Sequence, residues 1–210
     1  VTVDARPVRT KRDRLYNPET RGGLSSYQKA KADIECWLKE RKSSDCRFTT
    51  MFDMYALPSD FPGVVDSTGI KDPYEKVKFL ESSLANDVGS DRFVPYIQLH
   101  EFEALILAYP EELEYEYLDN PREIQNLVEQ YSELNPELVN DKYETAPSRR
   151  IQAELPQYSK ITGSDIANII GISKLKKKCQ HFKEWIEILE RLNMEYRDAL
   201  KIDFIGMFDK

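Results

Sequence analysis

The stretch Arg92 to Leu107, RFVPYIQLHEFEALIL, constrains the fold more than any other part of the chain. A short apolar run, Phe93-Val94-Pro95-Tyr96-Ile97, reads as a buried strand. It passes straight into Gln98, His100, Glu101 and Glu103, and then into a second apolar run, Ala104 to Leu107. Glu101, Ala104 and Leu105 are spaced for successive turns of a helix. A strand therefore hands over to a helix, with two carboxylates and an imidazole at the junction. In open α/β sheets, that carboxyl end of a strand is where ligands and metals collect. Acidic residues are also favoured near a helix N-terminus by the macrodipole and by capping alone. Spacing by itself leaves both a structural and a functional role open for Glu101 and Glu103.

The segments before this junction alternate between the two regular structures. Val1 to Val8 alternates apolar and polar residues and predicts a strand. Ser25 or Ser26 is placed as an N-cap for a helix from Tyr27 to about Lys42, with Ala30, Ile34, Trp37 and Leu38 on its buried stripe. Arg47-Phe48-Thr49-Thr50-Met51-Phe52 is dense in β-formers and predicts a central strand buried on both faces. Asp72-Pro73 opens a helix to about Val88, ended by Gly89. The predicted Phe93–Leu99 strand follows. Strand and helix thus alternate three times, which predicts an α/β domain with a mainly parallel sheet and right-handed crossovers.

Asp53 follows the second predicted strand directly. Burying an ionised carboxylate costs several kcal/mol unless it is paired or bound to metal. At the carboxyl edge of a sheet it is a natural hard-oxygen ligand for Mg²⁺. Asp60, in the loop Pro58-Ser59-Asp60-Phe61-Pro62-Gly63, suits a turn or cap better.

The chain has 210 residues and a formal net charge of −7. That charge argues against general polyanion binding, so a nucleic-acid contact needs a local basic patch. Two candidates exist. The loop Arg6 to Arg21, closed by Gly22-Gly23, carries Arg9, Arg12 and Arg14, whose guanidinium groups suit phosphate oxygens. Arg149 and Arg150 lie near the N-terminus of a helix starting at Ala146-Pro147-Ser148, where positive charge opposes the dipole and asks for an acidic or phosphate partner. The three cysteines, Cys36, Cys46 and Cys179, have no metal-ligand spacing and suit a reducing, cytoplasmic setting. No run approaches the roughly 18 apolar residues of a membrane span, so no membrane partner is expected.

Beyond Pro110 the chain becomes acidic and then helical. A helix is predicted from Asn120-Pro121 to about Leu134, and the acidic bias reads as a solvated face. Thr162-Gly163-Ser164-Asp165 reads as a turn and cap before Ile166. Ser173 to about Asn193 reads as one long amphipathic helix, with Lys174, Lys176, Lys177 and Lys178 clustered in its first turns. The predicted organisation is an α/β core over 1–110, a helical part over 111–193, and a tail over 194–210 whose apolar patch Phe204 to Phe208 is suited to docking.

The blocks GGLSSYQKAKADIECWL, FTTMFDMYALPSDFPG, VPYIQLHEFEALI, APSRRI and KLKKKCQHFKEWIEILERL together resemble bacterial family 4276 among the domains of unknown function. The resemblance covers residues 1 to about 192. Such proteins look like members of the topoisomerase–primase (TOPRIM) superfamily and are often found beside AAA or ABC-type ATPases in phage-defence loci. It implies a Rossmannoid, Mg²⁺-binding (or Mn²⁺-binding) α/β fold in which acidic residues at strand ends hold metal for phosphodiester chemistry. Asp53 matches the acid at the end of the second family strand, and Glu101 and Glu103 match the acidic pair of the strand-to-helix block. The superfamily has a second Asp where this chain has Tyr55. Members of the family normally begin with a strand ending in Glu-Gly-x-Thr-Glu, which this chain lacks, so an N-terminal strand and helix are expected to be missing.

The resulting expectation is a metal-dependent nuclease acting with a partner ATPase. Asp53, Glu101 and Glu103 serve as metal ligands, His100 as an orienting group, and Arg9, Arg12, Arg14, Arg149 and Arg150 as contacts to the nucleic-acid backbone. The alternative is a non-enzymatic adaptor or regulatory subunit of an ATPase complex, docking through its acidic helices and apolar tail.

Overall fold

Two parallel ladders, each two residues long, form the sheet in the computed structural model, which describes residues 3–6, 24, 26–43, 45–139 and 145–192. β1 (Phe48–Thr49) pairs with β3 (Phe93–Val94), Phe48 opposite Phe93. β2 (Phe52–Asp53) pairs with β4 (Ile97–Gln98), Phe52 opposite Ile97. Between the paired segments the chain crosses over through α2 (Pro73–Val88), so the fold is α/β with parallel pairing.

The two longer strands expected at 47–52 and 93–99 are each divided in the middle. Pro95 has no N–H to give to a ladder. At the break the Thr50 hydroxyl replaces the missing backbone pairing: it accepts from Tyr96 N and donates to Tyr96 O, both at 3.2 Å. Nor is 47–52 buried on both faces, since Thr49 and Met51 are exposed and Phe52 points inward. The segment 3–6 of the expected first strand is irregular, and the rest of Val1 to Val8 lies outside the described residues.

Helix ends follow their capping chemistry. α1 (Tyr27–Glu40) starts after Ser26, but the cap is remote. The Asp60 carboxylate accepts the N–H of Tyr27 at 3.0 Å and the hydroxyl of Ser26 at 3.1 Å, the capping role expected of it. In α2, Asp72 accepts the Glu75 N–H at 2.8 Å, Pro73 takes the first position, and Gly89 closes the helix at φ 64°. α3 (Glu103–Leu107) begins two residues later than expected, which leaves Glu101 ahead of the helix. It is followed by α4 (Pro121–Tyr131) and α5 (Pro147–Glu154).

Two corrections concern the end of the chain. Thr162 to Asp165 is not a turn: it lies inside α6 (Lys160–Ile170), which is capped by Ser159 accepting the Thr162 N–H at 3.2 Å. The long helix expected from Ser173 is broken at Cys179 into α7 (Ile172–Lys178) and α8 (residues 180–192). Glu137, fully buried, causes the break. Its two oxygens accept the N–H groups of His181 and Phe182, each at 3.0 Å, and cap α8.

The core has two apolar clusters. One joins Tyr27, Ala30 and Ile34 of α1 to Val77, Leu80 and Leu84 of α2 and to Phe52 and Ile97 of the sheet. The other gathers Leu105 to Ala108 with Ile124, Leu127, Ile151, Ile166 and Phe182. Tyr96 carries the sheet into this second cluster, stacking on Trp185 with ring centroids 4.2 Å apart. Among the described residues, no helix is long and apolar enough to cross a membrane.

Candidate acidic site at the carboxyl edge of the ladder

Because β2 and β4 run parallel, their carboxyl ends emerge on the same side. Asp53 stands opposite Gln98, and the two segments leaving the ladder are tied crosswise. Asp53 Oδ1 accepts the backbone N–H of Phe102 at 3.0 Å, and Tyr55 N–H donates to the carbonyl of His100 at 3.3 Å. The turn this requires puts His100 at φ 63°, left-handed for a residue bearing a side chain. Such strain persists where the surroundings impose it, and it clusters at functional sites.

The next two carboxylates are almost completely covered. Glu101 is 2% exposed, and its Oε2 accepts the backbone N–H of Ser148 at 2.9 Å, which fastens the start of α5 to the edge. Glu103 is 1% exposed, and neither of its oxygens accepts a hydrogen bond from another residue. A cationic neighbour is Lys160, whose Nζ lies 3.8 Å from Oε1. Beside it lies Tyr158, buried, with a hydroxyl that also meets no hydrogen-bond partner.

The electrostatics follow from this covering. Burial pushes the Glu103 carboxyl up to about 7, with the charges of Glu101 and Asp53 adding to the rise and Lys160 opposing it. Burial likewise raises Asp53, and Glu101 adds to it, against the pull of Lys160 and the Phe102 amide. For Lys160, partial burial works against the charge, but Glu103, Asp53 and Glu101 together outweigh it and the ammonium pKa is raised. The Tyr158 phenol is raised by burial first and by the Glu103 charge second.

The structure thus brings Asp53, His100, Glu101 and Glu103 to one edge. Arg149 is exposed on the first turn of α5, one residue after the Ser148 amide that holds Glu101. Arg150 is committed elsewhere: it donates to the carbonyl of Thr145 at 2.5 Å and to the hydroxyl of Tyr131 at 3.2 Å. Arg9, Arg12 and Arg14 lie outside the described residues. The lysine cluster of α7 is used locally, Lys174 on Glu112 at 2.5 Å and Lys176 on Glu190 at 2.8 Å.

Sequence reasoning missed Lys160 and Tyr158. One signal pointed to the lysine: it follows Ser159, a good N-cap, and a cation in the first turn of a helix opposes the dipole.

Metal-ligand chemistry fits this donor set in kind. Carboxylate oxygens suit Mg²⁺ and Mn²⁺, and a buried carboxylate whose oxygens accept no hydrogen bond is suited to a cation. Among the described residues, no three Asp, Glu, His or Cys side chains already stand as a ligand set. Asp53 and Glu101 each hold one oxygen on a backbone N–H. The second oxygens, with both oxygens of Glu103, are the donors that would have to close round an ion.

Compared with known proteins, the chain matches no curated protein and no solved structure. A sequence profile does match it across residues 2–190, and that span takes in every residue of the acidic edge, so the chain belongs to the family described as Domain of unknown function (DUF4276).

Proposed function

We propose that the acidic edge of the β2–β4 ladder binds a divalent cation, Mg²⁺ or Mn²⁺, and that the protein hydrolyses phosphodiester bonds in nucleic acid. The observation that carries this reading is Glu103. A carboxylate that is 1% exposed, accepts no hydrogen bond from another residue and has its pKa raised into the neutral range is costly to ionise where it stands. A cation placed between it and the second oxygens of Asp53 and Glu101 would remove that cost. When bound, such an ion supplies Lewis-acid polarisation of a phosphoryl oxygen and lowers the pKa of water.

The chain's own groups have separable roles. Asp53 and Glu101 are held by the Phe102 and Ser148 amides, so their remaining oxygens are oriented before an ion arrives. Glu103, raised toward neutral pH by burial, would give up its proton as it takes the cation. His100, locked in its left-handed turn, joins the end of β4 to α3 and fixes where Glu101 and Glu103 begin. The resemblance to TOPRIM-like proteins found beside ATPase genes supports a cytoplasmic setting in which an AAA or ABC-type ATPase delivers the substrate as part of phage defence.

The test pairs binding with cleavage. Calorimetric titration of Mn²⁺ into the wild type is expected to show binding that Asp53→Asn and Glu103→Gln each abolish. Nucleic-acid cleavage by the protein together with its ATPase partner is expected to require the metal and both carboxylates. Undiminished cleavage by Asp53→Ala and Glu103→Ala variants overturns the reading. Stable co-purification with the ATPase and no ion binding would leave the adaptor role in its place.

A further inference from the structure

On the proposed function, an anionic substrate has to approach three carboxylates. We infer that Lys160 is the phosphate-binding residue of this site and that its ammonium leaves Glu103 for a substrate phosphate. The inference rests on the proposed function for the kind of substrate, and on Lys160 for everything else.

Three observations converge. First, Lys160 is the opening residue of α6, where a cation is opposed by the helix dipole, so helix stability does not account for it. Second, its side chain is 64% exposed, yet its ammonium stands over a carboxylate that is 1% exposed. At 3.8 Å the contact is one of charge and beyond hydrogen-bonding distance, so the donors of Nζ are not committed to Glu103. Third, the partner it faces is left short of donors. Glu103 accepts no hydrogen bond from another residue, and the Tyr158 hydroxyl beside it meets no partner either. A long, exposed lysine is a poor permanent counter-ion for so deeply covered a group.

Among the described residues, two other arginines are committed elsewhere. Arg150 is tied to Thr145 and Tyr131, and Arg6 donates to Glu40 at 2.9 Å with its guanidinium over the Trp37 ring. Glu103, Asp53 and Glu101 keep Lys160 charged, as its raised pKa records. When an ion neutralises Glu103, the ammonium loses its reason to lean inward and is left at the mouth of the site, where a phosphate is the complementary partner.

The test uses a fluorescein-labelled single-stranded oligonucleotide as probe, with Ca²⁺ in place of Mg²⁺ to prevent turnover, and measures anisotropy with and without the ion. Lys160→Gln is expected to weaken oligonucleotide binding at least tenfold, and Lys160→Arg to restore most of it. In Lys160→Gln, calorimetric Ca²⁺ affinity is expected to stay equal or rise, because the competing ammonium has gone. Because Lys160→Gln leaves Glu103 without its cation, the double variant Lys160→Gln, Glu103→Gln keeps the local charge balanced, and it too should bind the oligonucleotide at least tenfold more weakly than Glu103→Gln alone. Unchanged oligonucleotide binding in Lys160→Gln, or no binding by the wild type, overturns the inference. Absent Ca²⁺ binding with a Lys160-dependent oligonucleotide affinity would instead overturn the metal site and leave Lys160 standing.

Discussion

Phe102 donates its backbone N–H to Asp53 Oδ1 at 3.0 Å, closing the end of β2 onto the residue before α3. The same carboxylate is raised in pKa by burial and by Glu101, so its charge is a cost to the folded protein while its acceptor is a benefit. The two effects separate by substitution. Asp53→Asn keeps an acceptor and removes the charge; Asp53→Ala removes both and leaves the Phe102 amide unpaired. Urea denaturation is expected to place Asp53→Ala about 1–2 kcal/mol below Asp53→Asn in stability. Calorimetry is expected to find divalent-ion binding lost in both, and equal stability of the two variants would show that the amide bond has no role.

Glu103 makes stability depend on pH in a direction opposite to that of an ordinary paired carboxylate. Its ordinary value is 4.5 and the folded value about 7, so between these limits the folded chain holds the proton that the unfolded chain has released. Stability contributed by the protonated form is therefore lost as pH rises through that window. Glu103→Gln cannot ionise and should escape the loss. Its stability relative to the wild type is expected to climb between about pH 4.5 and pH 7, by an amount on the order of 1–3 kcal/mol. Thermal melts with added Mn²⁺ at pH 8 should stabilise the wild type and leave Glu103→Gln unmoved.

Glu137 holds the last helix in place. It is fully buried, accepts the Tyr74 hydroxyl at 2.9 Å, and caps α8 through the amides of His181 and Phe182. Glu137→Ala strands two buried amides and removes the negative charge at the helix N-terminus. The expected loss is roughly 3–5 kcal/mol in chemical denaturation, the range for breaking a buried charged network by deleting one member. The near-ultraviolet signal of Trp185, one turn along α8 and stacked on Tyr96, should change with it.

These residues also show how far the sequence could be read. Parallel pairing and α2 with both its caps were legible, because strand–helix alternation and Asp-Pro followed later by Gly are local signals. The acids at the strand ends were legible for the same reason, each following an apolar run. The broken strands were not, since Thr50 replacing a ladder bond opposite Pro95 is a relation between distant segments. Glu137 stood among eleven acidic residues between 111 and 144 read as a solvated face, and only the fold selects it as the buried one. Lys160 was hidden by a misplaced boundary. Gly163 looked like a turn, so the helix carrying the lysine was started after it.

Gly163 lies inside α6 because Tyr158 needs the room. A Cβ at this position would collide with the Tyr158 hydroxyl, and the ring carbon bearing that hydroxyl would be 3.3 Å away. The phenol is packed against the site side of the helix, feels the Glu103 charge, and has no hydrogen-bond partner that would compensate a displacement. Alanine would otherwise be favoured by about 1 kcal/mol over glycine within a helix. In the wild-type background the collision outweighs that gain, and Gly163→Ala is expected to destabilise by about 1–2 kcal/mol. Tyr158→Phe deletes the clashing atom, so the same glycine substitution made there should be neutral or stabilising by up to about 1 kcal/mol. A double-mutant cycle in urea measures the difference directly. Equal effects in the two backgrounds would mean that the glycine is not held by the phenol. A coupling above about 1.5 kcal/mol would show that the phenol and the glycine are packed as one unit.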